Sequence, residues 1–131
     1  MLVDYPLEDR NMKFMLLIYH DEVTWDALTK PERQEIYGEY RELIQELEPK
    51  GTYLVGDELQ PSKTARTVRV REGKPMITDG PFAETREQLG GFFLIEAADA
   101  NEANAIAARI PSARMGSIEV RPVTAEAAAA E

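Results

Sequence analysis

One histidine and one tryptophan occur in the chain, and they lie five residues apart. His20 closes a strongly apolar run, at the point where a strand gives way to a loop. An unperturbed imidazole titrates at about pH 6.5, so His20 is the side chain best suited to move a proton at neutral pH. Asp79 closes a second strand pattern and would orient the imidazole if the two strand ends meet. Glu84 is the other carboxylate of the loop that follows, and Phe82 between them is an apolar anchor for it. Tyr19, Tyr37, Tyr40 and Trp25 are rings available for an aromatic pocket between the first helix and the sheet. Tyr40 also fits the core stripe of that helix, whereas Tyr37 lies at the stripe's edge with its hydroxyl free to face a cleft. The expected site is therefore His20 and Asp79 as catalytic groups, with Tyr19, Tyr37, Phe82 and Glu84 around a bound ligand.

Other chemistries find less support. In His20-Asp21-Glu22 adjacent strand residues point to opposite faces, so no metal motif forms and no metal is expected. The chain has no cysteine, which removes disulfides, thiolate ligands and a thiol nucleophile together. Ser62, Ser112 and Ser117 lack the strand-turn-helix setting of an activated serine. Gly90-Gly91 enters a strand rather than a helix, so it is no phosphate cradle. No cofactor is expected.

The elements that must position these residues follow from periodicity. Met12 to Tyr19 is a nearly continuous apolar run, the pattern of a central strand. Thr24 to Leu28 reads as a short helical turn. Thr29-Lys30-Pro31-Glu32 is a capping box, and Ile36, Tyr40, Leu43, Ile44 and Leu47 continue it as one helical stripe that Pro49 and Gly51 end. Thr52 to Asp57 is a second strand. Arg66 to Arg71 and Lys74 to Thr78 form a hairpin about Glu72-Gly73. A loop from Asp79 to Gly90 leads to a strand over Gly91 to Ala97. Asp99 and Glu102 cap a helix with Ala103, Ile106, Ala107 and Ile110 inward, and Ser117 to Val123 is the last strand.

This order, β-α-β, hairpin, β-α-β, gives an α+β domain with a ferredoxin-like split β-α-β core, an inserted hairpin and both helices on one face. The opposite face is then a bare apolar surface larger than a monomer tolerates, and a homodimer packed sheet to sheet covers it. The domain is expected over residues 12–123, after a flexible extension at 1–11 and before a frayed tail at 124–131.

The chain has 131 residues, enough for one domain, and 44% are hydrophobic, enough for a core. Fifteen basic against 24 acidic residues leave a net charge of −9, which argues against nucleic-acid binding. No run is long enough to span a membrane and no leader pattern opens the chain, so a cytoplasmic location is the default.

The block DGPFAETREQLGGFFLIE, with MKFMLLIYHDE before it, LVGDELQP between and GSIEVRPV after, resembles the DGPF-domain proteins of the YCII-related superfamily. The resemblance runs from Met12 to about Val123 and implies a dimeric α+β barrel. It also suggests lyase-like chemistry on small aromatic molecules or an association with transcriptional regulators. Simpler YCII-like proteins carry a histidine near the start of the first helix; here Pro31 to Tyr37 contains none, so a His-Asp pair is not carried over. Two functions follow as expectations. The first is a small-molecule protein with cofactor-free acid-base chemistry of the isomerase or lyase kind, on a small organic acid or ring. The second is a non-catalytic sensor or interaction module acting through a protein partner.

Overall fold

Side chains alternate across the strand β1, Met12–His20, and that alternation organises the molecule. Phe14, Leu16 and Ile18 are buried on one face, while Met15, Leu17 and Tyr19 stand half-buried on the other. The computed structural model describes residues 12–124, so the readings for residues 1–11 and 125–131 lie outside the described residues. β1 pairs antiparallel with β5, Gln88–Ala97, on one side and with β6, Ser117–Pro122, on the other. β2, Tyr53–Glu58, adds beyond β5, giving the strand order β2-β5-β1-β6.

The helices cover one face. Helix α2, Lys30–Leu47, starts where Thr29 Oγ1 accepts from the Glu32 amide at 3.2 Å and Glu32 Oε1 accepts from the Thr29 amide at 2.8 Å. These reciprocal bonds satisfy two amides that a helix start otherwise leaves open. Helix α3, Ala100–Arg109, is capped by Asp99. Phe14, Leu16, Phe93 and Ile95 of the sheet pack with Leu43 and Leu47 of α2 and with Ala103, Ile106 and Ala107 of α3. Full burial of side chains of this size contributes about 1.5–3 kcal/mol each, so this layer dominates the stability of the chain.

Three local features differ from the sequence reading. The short helical turn read at Thr24 to Leu28 starts two residues earlier and ends one sooner, as helix α1, Glu22–Ala27, because Asp21 caps it by accepting from the Val23 amide at 2.9 Å. β5 begins at Gln88 rather than Gly91, because the ladder with β1 absorbs an extra residue between Ile18 and Tyr19 and then continues. Phe82 is 80% exposed and does not anchor its loop to the core. The loop is held instead by polar bonds, with Thr67 Oγ1 donating to the Gly80 carbonyl at 2.8 Å and Gln88 Nε2 to the Thr85 carbonyl at 2.6 Å.

The hairpin of β3, Arg66–Arg71, and β4, Lys74–Asp79, is a separate two-stranded sheet. Its turn residues Glu72 and Gly73 both have positive φ, 53° and 76°, the backbone twist that a two-residue hairpin turn requires. Val68, Val70, Met76 and Ile77 are exposed on it.

Candidate functional site

Gly90 decides where His20 goes. It is the residue that the β1-β5 ladder skips, and a Cβ there would sit 2.5 Å from the His20 Cε1 and 2.9 Å from Nδ1. Only a residue without a side chain lets the imidazole lie across this backbone. Trp25 of α1 stacks on the ring, with centroids 5.7 Å apart and planes 25° from parallel. The edge of Tyr37 from α2 meets Trp25, at 5.7 Å and 76°. Such paired rings are worth about 0.5–1.5 kcal/mol beyond their burial, so the three hold one another in place.

α1 is too short to hold itself, and three bonds at Glu22 fix it. The Glu22 carboxylate accepts from the Ser62 amide at 2.7 Å and from its hydroxyl at 2.6 Å. Gln88 Oε1 accepts from the Glu22 amide at 3.0 Å, tying the helix start to the first residue of β5. Trp25 is thereby held through the start of its helix.

Between this aromatic row and the sheet lies a cavity of about 240 Å³. That is smaller than the roughly 300–1,000 Å³ of sites for drug-sized molecules, so its occupant is small. Glycines make its floor. A Cβ on Gly56 would fall 2.6 Å from the Phe92 carbonyl oxygen and 2.7 Å from the Tyr53 hydroxyl, and one on Gly91 would fall 2.8 Å from the Asp57 carbonyl oxygen. Its inner wall is Phe93, met edge-on by Tyr40 and Tyr53 at 6.0 and 5.0 Å. A wider and more polar cavity of about 490 Å³ adjoins it past Leu59 to Lys63, and His20, Trp25, Glu58 and Gly90 line both.

The polar groups of the wall are arranged in pairs. Tyr37 donates its hydroxyl proton to the Glu58 carboxylate, 3.0 and 2.9 Å from the two oxygens. Burial first, then the bond to Glu58 and its charge, pushes the Tyr37 phenol up to about 12. Tyr40 shares a proton with the buried Ser112 hydroxyl at 2.7 Å, and burial raises its phenol against the pull of that bond. Tyr53 is raised by burial and then by the charges of Asp57 and Glu48. All three phenols are therefore protonated at neutral pH. The wall offers an imidazole, a carboxylate and a neutral phenol within one small space, the set that proton transfer between two atoms of a substrate requires.

The sequence-derived site is divided between three places. His20 and Tyr37 line the cavity together. Tyr19 lies on the opposite face of the sheet, where its hydroxyl donates to Glu119 at 3.3 Å and burial, followed by the Glu119 charge, raises its phenol. Asp79 ends β4 in an exposed ion pair, 3.1 Å from the Arg66 Nε, and Phe82 and Glu84 are exposed in the loop after it. None of these four residues lines the cavity beside His20. Glu58 and Tyr53 were not singled out, although both stand on β2, where a carboxylate at a strand end facing a helix tyrosine is the signal that could have found them. Among the described residues no three His, Asp or Glu side chains converge to hold a metal ion, and no helix is long and apolar enough to cross a membrane.

Two comparisons match this fold to other proteins. An uncharacterized protein of Rhizobium meliloti (strain 1021) is 35% identical over 114 residues, 86% of this chain and 92% of the relative. The model of the YCII-related domain matches residues 12–127, which takes in both strands that carry His20 and Glu58 and the helix that carries Tyr37. With one domain model spanning the whole sheet and both helices that cover it, the chain belongs to the YCII-related family.

Proposed function

We propose that the protein binds a small organic molecule between His20 and the Tyr37–Glu58 pair and catalyses cofactor-free proton transfer on it. The single observation that carries this reading is the placement of the only histidine in a glycine-floored aromatic cavity that also holds the Glu58 carboxylate bonded to a protonated Tyr37 phenol. His20 removes a proton from the bound molecule, and the imidazolium returns it to another atom, so an isomerisation needs no other reagent. Tyr37, held neutral, turns its one proton from Glu58 to an oxygen on which charge develops. Trp25 excludes water from the outer side.

The ferredoxin-like plan with a sheet-to-sheet homodimer completes the reading. The strand order β2-β5-β1-β6 with helices on one face supports it, as do Met15, Leu17, Phe92 and Leu94 along the uncovered face. A two-stranded hairpin is marginal by itself in water, and packing of its exposed Val68, Val70, Met76 and Ile77 against a second copy would stabilise it.

Trp25, being the sole tryptophan, reports directly on the cavity. A small-molecule screen read by its fluorescence identifies candidates, and turnover of a bound compound is then measured. His20→Ala is expected to abolish turnover with the circular dichroism spectrum unchanged, and Tyr37→Phe to lower it by about 10²- to 10⁴-fold, the usual contribution of one acid-base group. Undiminished turnover in His20→Ala ends the proposal.

A further inference from the structure

The charges around the cavity say more than that a molecule fits. Its walls are rings on several sides, with Trp25, Tyr37, Tyr40, Tyr53 and Phe93 surrounding the space. The carboxyl-bearing residues that line it are Asp57 and Glu58, and no lysine or arginine does. Arg33 stands near enough to Tyr37 to oppose the rise of its phenol, and Lys63 lines only the outer cavity. An anion entering here meets the Glu58 carboxylate and little to offset it, whereas Asp57, paired with Phe92, turns its side chain to the other face of the sheet. Of the three phenols, Tyr37 already gives its proton to Glu58 and Tyr40 is engaged with Ser112, which leaves Tyr53 to offer a hydroxyl proton. His20 is the one group of the wall able to become a cation.

A cation is met differently. Ring faces carry partial negative charge, and a cation within about 6 Å of them is attracted, most strongly when it is desolvated and alkylated. The chain's net charge of −9 adds a field that draws cations toward the surface. We infer that the cavity selects a small organic cation, an alkylated ammonium whose methyl groups face the rings and whose charge lies against Glu58. The inference rests on the reading of this cavity as the binding site. It replaces the organic acid expected from the sequence by a substrate of opposite charge.

Choline, its uncharged carbon isostere dimethylbutanol and the corresponding dimethylbutyrate anion differ in charge at nearly constant shape. Each is titrated into the full chain at pH 7.5 while the emission of Trp25 is recorded. Choline is expected to produce a saturable change with an affinity roughly tenfold or more above that of the alcohol, and dimethylbutyrate to bind more weakly than either. Glu58→Gln is expected to weaken choline by roughly fivefold or more while leaving the alcohol unmoved, which also shows that the cavity survives the substitution. Equal or tighter binding of the alcohol or the carboxylate overturns the inference, and so does choline binding that Glu58→Gln leaves intact. Silence from all three probes overturns it too. The acid-base reading is separate in that case, because turnover of a screened compound by the wild type and its loss in His20→Ala do not depend on these probes.

Discussion

The two faces of the central sheet are built from the same strands and solve opposite problems. On the helix side, Phe14, Leu16, Phe93 and Ile95 are closed over by α2 and α3, and the layer opens only where glycines replace side chains beside His20. On the other side Met15, Leu17, Phe92 and Leu94 are half-buried and have no helix layer of the described residues above them. Because strand side chains alternate, one residue along β1 separates a core position from an uncovered one. The covered face holds the cavity; the uncovered face has the character of an interface. In the proposed reading, a fold with a single helix layer separates the place for a ligand from the place for a second copy.

That contrast can be broken most severely from the core. Phe14→Ala is expected to cost about 3–5 kcal/mol in a denaturant titration, because the helices cannot collapse into the space it leaves. Leu17→Asp, a few residues along the same strand, is expected to leave the helix-side core intact and to turn a sedimenting dimer into a monomer. A Leu17→Asp variant that sediments like the wild type would remove the interface from the account.

Gly90→Ala sharpens the covered side. The new methyl group occupies the place of the His20 ring, so the ring must leave its stack on Trp25. The expected cost is about 1–3 kcal/mol, with a shift in Trp25 emission that a purely structural glycine would not cause.

The Tyr37 phenol supplies a smaller effect at alkaline pH. Its pKa is raised from an ordinary 10.0 to about 12, so the folded state holds the proton more tightly than the unfolded state does. The stability this adds is fully present below pH 10 and is lost as pH rises through about 12. Tyr37→Phe is expected to remove the last phenol seen in an ultraviolet titration and to flatten that alkaline decline. At the acid end the sign reverses. The bond from Arg109 to Glu46, 2.6 Å at its shorter, holds the Glu46 carboxyl below the ordinary 4.5. Its contribution is present above pH 4.5 and fades as pH falls through the lower folded value. Arg109→Ala is expected to remove only this acid-side slope, the smallest of these effects, since the pair is exposed.

How much of this was legible beforehand depended on range along the chain. The capping box at Thr29 and Glu32, the stripe of α2 and the apolar run of β1 are local patterns, and each forms its element in the structure, β1 as a central strand. The aromatic pocket between the first helix and the sheet was legible as a set of ring types, and Trp25, Tyr37 and Tyr40 do line one cavity. Glu58 was not legible, because nothing near it in sequence shows that β2 ends beside Tyr37. The seat of His20 was also hidden, since it depends on one skipped residue in a ladder between segments about seventy positions apart. Asp79, Phe82 and Glu84 attracted attention by their turn chemistry, yet the hairpin carries them away from the cavity into an exposed ion pair and an exposed loop.

The most direct test is a crystal structure soaked with a library of small polar and aromatic fragments. The account predicts fragments seated between His20 and Tyr37, in contact with Trp25 and over the Gly56–Gly91 floor. Fragments that gather instead along the 79–87 loop or the uncovered face, with the His20 cavity left vacant, would contradict it.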